Sequence, residues 1–569
     1  MWSELKTEAS DTGYMKGLSN AIPTIATKTG GPSEHIVDEY NGIFIEKYLP
    51  NNRPSPEGLI EALAKASNVY PSINQYPQSW DIDYFRMMWN ALQTTPKVDI
   101  DFVVKRYIKE LWLPAYRAKF GLYIEKTKQQ KEEAISLTKT KLACQIPIYS
   151  LRNEKVKYGI GKFTDLINTY EEVLKPSGVS TIQILPHFAV SYESPYAPIS
   201  IYAINELYID WIKEAEELGL DRKKIEAMKE KLESIPQDYV YYDVIKEIEF
   251  EASKTVFVGF KDKKEFELFR RRNSFWLDNY SSYASAKRIL ARVPNNKEEI
   301  EEVAKQNPGV FETYKSLYEF IQYVGYKQLK ETVDVLHKEG CKIMFDIPFF
   351  RAKDSVDITF HSEYFHSEKK SPYIWGQHWE DLVLFNWDSL QRDNYDLLIA
   401  PIKHWLKFSF DGVRLDALHF AYNLSYLKEN VVQSGNEKGN DFVSKLITEI
   451  RKTKPDSLIL AEAFEGTDEH IRSNYGIYTI ANVDWFDPQQ LSKISTKPKI
   501  WLQITSHDAP RIQNNVALKE KYNIEYNEES FVKFFEKVLS SGVEFVAIAI
   551  GDQWGDEREE KEYKDGRSF

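Results

Sequence analysis

From residue 140 onward, short apolar runs alternate with longer stretches of helical periodicity. The runs are "KLACQIPIYS" (141–150), "STIQILP" (180–186), "CKIMFDIPFF" (341–350), "FDGVRLDAL" (410–418), "SLILAEAF" (457–464), "YTIANVDWF" (478–486), "IWLQITSHD" (500–508) and "VEFVAIAIGD" (543–552). Near-continuous apolar runs of strand length, separated by helices, predict a parallel sheet covered on both faces. Eight such units predict a closed (β/α)8 TIM barrel. Between the second and third runs, residues 212–330 are helix-rich, as in "DRKKIEAMKEKLESI" and "KKEFELFRRRNSFWLDNYSSYASAKRIL". This insertion is expected to form a helical subdomain over the barrel mouth.

The first 140 residues follow another pattern. Residues 2–45 read as helix, strand, Gly-rich turn, helix and strand, and helices are predicted near 57–67, 82–93 and 101–137. The charge run "EKTKQQKEEAISLTKTK" (125–141) reads as a solvated helix face. The expected organisation is a partial Rossmann-like piece at 1–95, a helical linker at 96–140 and the barrel at 141–569.

Composition narrows the function classes. A net charge of −12, spread along the chain, disfavours nucleic acid and anionic membrane as partners. Cys144 and Cys341 both sit in apolar runs and read as buried thiols of a reducing cytosol. No signal peptide or membrane-length apolar run appears, so a cytoplasmic protein is expected. The 13 Trp and 35 Tyr suit sugar stacking, although aromatic residues also fill cores. No Cys/His metal spacing occurs; His361 and His366 read as solvated.

Most runs end in a polar or acidic residue, notably Asp346, Asp416, Glu462, Asp508 and Asp552. In a parallel barrel the C-terminal strand ends carry the active site. Retaining cleavage of a glycosidic bond needs two carboxyl groups about 5–5.5 Å apart, one nucleophile and one acid that later acts as base. Asp416 fits the nucleophile, because Arg414 shares its side of the strand at a spacing of two and its cation favours the ionised form. Taken alone, the pair fits a core ion pair as well. Glu462 fits the acid/base, since a carboxyl among apolar neighbours holds its proton more tightly. His507–Asp508 and Asp346 end other strands; alone, they also fit an exposed loop pair and a strand-end cap.

Those residues carry a resemblance. "VRLDALH" (413–419), "LAEAFEG" (460–466) and "TSHDAP" (505–510) resemble the conserved regions of the α-amylase clan. Within it, the chain resembles the amylomaltases, or 4-α-glucanotransferases, over roughly 142–555. The narrower match rests on "YGIGKF" (158–163), "IQILPHFAVSYESPYAPISIYAINELYID" (182–210), "FIQYVGYKQLKETVDVLHKEGCKIMFDIPFFRAKDSVD" (320–357) and "WGQHWEDLVLFNWDSLQRDNYDLLIAPIKHWL" (375–406). The resemblance implies Asp416 as nucleophile, Glu462 as acid/base and Asp508 as transition-state stabiliser. It implies that Arg414, His507 and Asp346 support the sugar at the cleavage point and that Tyr196 stacks on it. It also implies α-1,4-glucans as donor and acceptor, with no cofactor or metal. "ALHFAY" departs toward the amylases, where a histidine near His419 contacts substrate, and the segments around Glu462 are shorter than the family's. Three readings stay open: glucan transfer, hydrolysis of α-1,4 bonds, and a non-catalytic glucan-binding or scaffold role.

At the front, "EASDTGYMKGLSNAIPTIAT" (8–27) resembles the end of an α-glucan phosphorylase, with Lys16 at the pyridoxal phosphate lysine. "KTGGPSEHIVDEYNGIFI" (28–45) is closer to glycogen synthases of the GT-B type. Most of that fold would precede Met1, so Lys16 is expected to be silent and residues 1–95 to be a GT-B C-terminal remnant. The chain ends at Phe569, earlier than the family's usual C-terminal segment.

Overall fold

The computed structural model describes residues 24–27, 42–47, 55–69 and 140–550, apart from 152–156, 191–193, 236–239, 371–381, 424–436, 465–466, 495–496, 498, 508–514 and 525–527. The chain separates into two compact units, Met1–Ile124 and Glu125–Phe569.

In the first unit, β1 (Thr24–Thr27) and β2 (Gly42–Ile45) pair in parallel, with Thr24 opposite Gly42. Helix α1 (Pro56–Val69) follows, and Ile43, Ile45 and Ala62 form a small buried cluster. Parallel pairing is common to many α/β folds and does not single out the glycosyltransferase reading. Lys16 and the predicted helices at 82–93 and 101–137 lie outside the described residues.

In the second unit, all eight predicted runs are strands of one closed parallel barrel. In chain order they are β3 (Lys141–Ile146), β4 (Val179–Ile184), β5 (Lys342–Pro348), β9 (Gly412–Asp416), β10 (Leu458–Ala461), β11 (Tyr478–Asn482), β12 (Ile500–Gln503) and β13 (Phe545–Ala549). β13 closes onto β3, with Phe545 opposite Lys141. Ala143, Met344, Leu460, Tyr478, Ile480, Trp501, Phe545 and Ala547 form one buried cluster drawn from six of these strands, as filling a closed barrel requires. Trp501 and Phe545 stack at its centre, ring centroids 4.5 Å apart.

That apolar layer positions the chemistry above it. Side chains two apart on a strand share a face. Gln145, Asp346 and Glu462 therefore follow Ala143, Met344 and Leu460 on the inner face, one layer nearer the C-terminal ends.

Between β4 and β5 run α2 (Trp211–Glu217), α3 (Arg222–Glu233), α4 (Tyr242–Gly259), α5 (Lys263–Leu290), α6 (Lys297–Gln306) and α7 (Pro308–Lys338). Asp210, Asp221, Asp262 and Asn296 each accept a backbone N–H from the helix they precede, satisfying donors that would otherwise be orphaned. Pro308 at the start of α7 loses nothing by lacking an N–H there. The last helix outruns the predicted insertion and leads into β5, so one 31-residue helix serves both insertion and barrel.

The insertion packs on loops at the C-terminal strand ends. Trp276 stacks on Tyr202, which follows β4, and the Tyr283 hydroxyl donates to the Asp354 carbonyl, which follows β5. Lys162 of "YGIGKF" and Glu249 of α4 form an ion pair at 2.5 Å with side-chain exposures of 0% and 2%. Gly161 beside it is required, because a Cβ there would lie 1.9 Å from the Ile148 carbonyl oxygen.

A small antiparallel sheet was not anticipated. β6 (Arg351–Ala352), β7 (Phe365–Lys370) and β8 (Leu382–Phe385) pair in the order β6-β8-β7 just beyond β5. Strands this short leave little periodicity to read. Cys144 and Cys341 are both buried thiols and are not joined in a disulfide. Among the described residues, no helix is long and apolar enough to cross a membrane.

Candidate active site

Arg414 organises the cluster. It lies on β9, between β5 and β10, in register with Asp346 on one side and Leu460 on the other. Its Nη1 donates to Asp346 Oδ1 and Oδ2 at 3.0 and 2.8 Å and to Asp416 Oδ1 at 2.7 Å. Its Nη2 lies 3.1 Å from Glu462 Oε2. One guanidinium, 2% exposed, thus touches carboxylates from three adjacent strands. Arginine suits this role, since its planar fork presents several fixed donors and keeps its charge when buried.

The backbone tightens the arrangement. A Cβ on Gly412 would lie 2.3 Å from the Leu458 carbonyl oxygen, so glycine lets β9 approach β10. Ala417 adopts a left-handed conformation (φ 50°), uncommon for a residue with a Cβ. Its N–H donates to Glu462 Oε2 at 2.7 Å. Glu462 therefore sits against a guanidinium and an amide rather than wholly among apolar residues, as its sequence neighbours suggested. Among the described residues, Asp416 Oδ2 and Glu462 Oε1 accept no hydrogen bond, which leaves one oxygen of each for a substrate.

The electrostatics correct one expectation. Burial pushes the Asp416 carboxyl well above the usual carboxylate range; Arg414 pulls it back, while Glu462 and Asp346 add to the rise. Burial likewise raises Asp346, opposed chiefly by Arg414. Arg414 alone was expected to keep Asp416 ionised, but its single charge is divided among three carboxylates. Burial around one shared guanidinium thus favours the protonated form of the Asp416 and Asp346 carboxyls.

On the far side of Asp346, the Tyr196 hydroxyl donates to Asp346 Oδ2 at 2.9 Å. The Tyr196 ring stacks on His507, centroids 5.0 Å apart and 11° from parallel, and lies 6.0 Å from the Arg414 guanidinium carbon. His507 is anchored by Gln145, whose Oε1 is 2.8 Å from the His507 backbone nitrogen and 3.1 Å from Nδ1. Arg414 Nε and Gln145 Nε2 are buried with no hydrogen-bond partner among the described residues. Buried donors left this way mark a place where a ligand or water completes the network.

His419 lies on the Glu462 side. Its backbone N–H donates to the Glu462 carbonyl at 3.2 Å. Its ring packs edge-on against Phe464, which in turn meets the half-exposed Trp485 edge-on at 5.4 Å. The structure thus gathers Tyr196, Asp346, Arg414, Asp416, His419, Glu462 and His507 at one end of the barrel. Asp508 and Asp552 lie outside the described residues. Sequence reasoning missed Gln145, Phe464 and Trp485. The signal for Gln145 was there: a lone amide in the apolar run "LACQIPI".

A family model described as 4-alpha-glucanotransferase matches residues 146–545, which holds the whole cluster except Gln145. The chain belongs to the 4-alpha-glucanotransferase family. Among the family's curated members, the 4-alpha-glucanotransferase of Thermus thermophilus is 28% identical over 291 residues, 46% of this chain and 55% of that one. That of Chlamydia caviae is 27% identical over 293 residues (48% and 53%), and that of Clostridium butyricum 28% over 334 residues (54% and 66%). The chain spans about half the length of the first of these relatives. Among solved structures, an amylomaltase from Streptococcus agalactiae in complex with acarbose is similar at a TM-score of 0.59 and 17% identity, covering 73% of this chain and 90% of that one. The amylomaltase of Corynebacterium glutamicum is similar at 0.56 and 15%, covering 74% and 69%. These likenesses show a shared fold, in keeping with the barrel above.

Proposed function

We propose that this chain is a retaining 4-α-glucanotransferase acting on α-1,4-glucans. Arg414 carries the reading, because it draws Asp346, Asp416 and Glu462 from three strands into one buried cluster. A purely structural ion pair needs one partner, whereas three carboxylates around one cation gain nothing for stability and suit a site that handles protons and positive charge.

In the first step an Asp416 oxygen attacks the anomeric carbon. The glycosidic C–O bond breaks, and Glu462 gives its proton to the departing 4-oxygen. In the second step the 4-hydroxyl of an acceptor glucan attacks the same carbon. Glu462 takes that proton, and Asp416 is released. Neither step needs a cofactor. Arg414, Asp346, His507 and Tyr196 hold the sugar being transferred, and Asp508 is assigned the stabilisation of its developing positive charge. Since the acid lies on the leaving-group side of the bond, His419, Phe464 and Trp485 belong to the acceptor side.

Buried thiols at Cys144 and Cys341, not joined in a disulfide, support a reducing, cytoplasmic setting. We assign residues 1–95 to a catalytically silent GT-B-type C-terminal domain on the resemblance of residues 8–45, a reading with which the parallel β1–β2 pair agrees without singling it out, and 96–140 as linker.

Incubation with maltotriose tests the activity. Transfer yields free glucose and a ladder of longer glucans, all absent with Asp416→Asn. Products that are only shorter would make the chain a hydrolase. Glucan binding with no turnover would make it a binding protein.

A further inference from the structure

Gln145 lies on β3, and His507 follows β12 on the other side of β13. They are 362 residues apart, yet one atom, Gln145 Oε1, meets both the His507 backbone nitrogen at 2.8 Å and the ring Nδ1 at 3.1 Å. Both side chains are buried. The backbone N–H can only donate, so the atom facing it is the amide oxygen and the flip of the amide is decided. That oxygen can only accept, so Nδ1 must carry its hydrogen. The tautomer of a histidine is set by the bond its other nitrogen makes.

We infer that Gln145 is a positioning residue: it holds His507 as the Nδ1–H form and fixes the orientation in which the proposed function has the ring meet the sugar. The role of His507 toward the sugar rests on the proposed function; the tautomer does not. The stack on Tyr196 holds the plane of the ring, and Gln145 holds its rotation within that plane. Tyr196 is tied to Asp346 through its hydroxyl, so a line of contacts runs from β3 through His507 to the Arg414 cluster. The Nδ1–H bond is available whether His507 is neutral or protonated. Gln145 thus fixes geometry without choosing charge. A carboxylate in its place would favour the cation, and an apolar residue would free the ring.

The test uses the full chain labelled with 15N-histidine, with the His507 signal assigned by its loss in His507→Gln. Long-range 1H–15N correlations read which ring nitrogen carries the proton. The expected result is Nδ1–H in the wild type, a shift toward Nε2–H in Gln145→Leu, and protonation of both ring nitrogens in Gln145→Glu, whose carboxylate keeps the acceptor for Nδ1–H and favours the cation. Turnover of Gln145→Leu is expected to fall by about tenfold, with a smaller change in KM, because a misaligned group costs rate more than ground-state binding. An Nε2–H wild type, or an unchanged tautomer in Gln145→Leu, overturns the inference. The wild-type spectrum decides even if the Leu variant does not fold. A lowered melting temperature with no tautomer change would make Gln145 merely structural. Correct tautomers in a chain that transfers no glucan would leave this inference standing and sink the proposed function instead.

Discussion

The backbone N–H of Ala417 donates to Glu462 Oε2 at 2.7 Å, so the residue after Asp416 holds the Glu462 carboxyl in place. Any shift of the β9 end moves both groups together. The left-handed conformation of Ala417 aims that N–H toward β10, and Gly412 lets the two strands come close enough for the bond to form.

This coupling makes Glu462→Gln informative. An amide keeps an acceptor for Ala417 but cannot protonate a leaving group. Transfer from maltotriose is expected to fall by about 10²–10⁴-fold. A donor with a good leaving group, such as an activated α-glucosyl fluoride, should bypass the acid in the first step and leave a glucosyl group on the Asp416 peptide, detected by mass spectrometry. A label on another residue would refute Asp416 as nucleophile.

Asp416→Asn is expected to raise stability near neutral pH while abolishing activity. Burial raises the folded-state pKa of Asp416 above its unfolded value. The folded protein then binds more protons than the unfolded one, so stability is lost as pH rises from the ordinary carboxylate range. Asn has no proton to lose and escapes that loss. Melting temperatures should favour the variant at pH 7 and converge below about pH 4, near the unfolded carboxylate pKa. A variant less stable than wild type at pH 7 contradicts this account.

Arg414→Met tests the hub from the other side. Removing one partner of a buried ion pair leaves unpaired charge and costs about 3–5 kcal/mol. Here three carboxylates lose their cation, so the loss measured by denaturant unfolding should be large at pH 7 and shrink in acid, as the carboxylates become neutral. A loss independent of pH would point to packing alone.

The pair Lys162–Glu249 ties the loop after β3 to the insertion. Burial raises Glu249, and Lys162 opposes that rise. Lys162→Met should destabilise the barrel unit by about 3–5 kcal/mol, and adding Glu249→Met should restore most of it, because the lone buried charge is what costs. A double variant no better than the single one would mean the pair is not the source of the effect.

Trp485 stands half-exposed at the end of the His419–Phe464–Trp485 contacts. Trp485→Ala is expected to raise the KM for acceptor glucan by about tenfold, the equivalent of about 1.4 kcal/mol of lost stacking, with the first, glucosyl-forming step little changed. An equal effect on both steps would remove Trp485 from the acceptor side.

The barrel strands and their acidic ends were legible in the sequence because the signals are local. A strand buried on both faces writes a continuous apolar run, and a polar residue two places beyond an inward one is visible by counting. "FDGVRLDAL", "SLILAEAF" and "CKIMFDIPFF" each carry both signals, and the order of barrel strands follows chain order. The insertion showed equally well, through long helix-rich stretches. What tertiary structure decided was which groups share a partner. By sequence Arg414 is the companion of Asp416, its neighbour in the chain; closure of the barrel places Asp346 and Glu462 on the same guanidinium and so turns a simple ion pair into a cluster of three carboxylates on one cation. Gln145 and His507 meet only because β13 brings β3 beside β12. Burial and charge sharing depend on distances across strands, and no run of residues records those until the sheet closes.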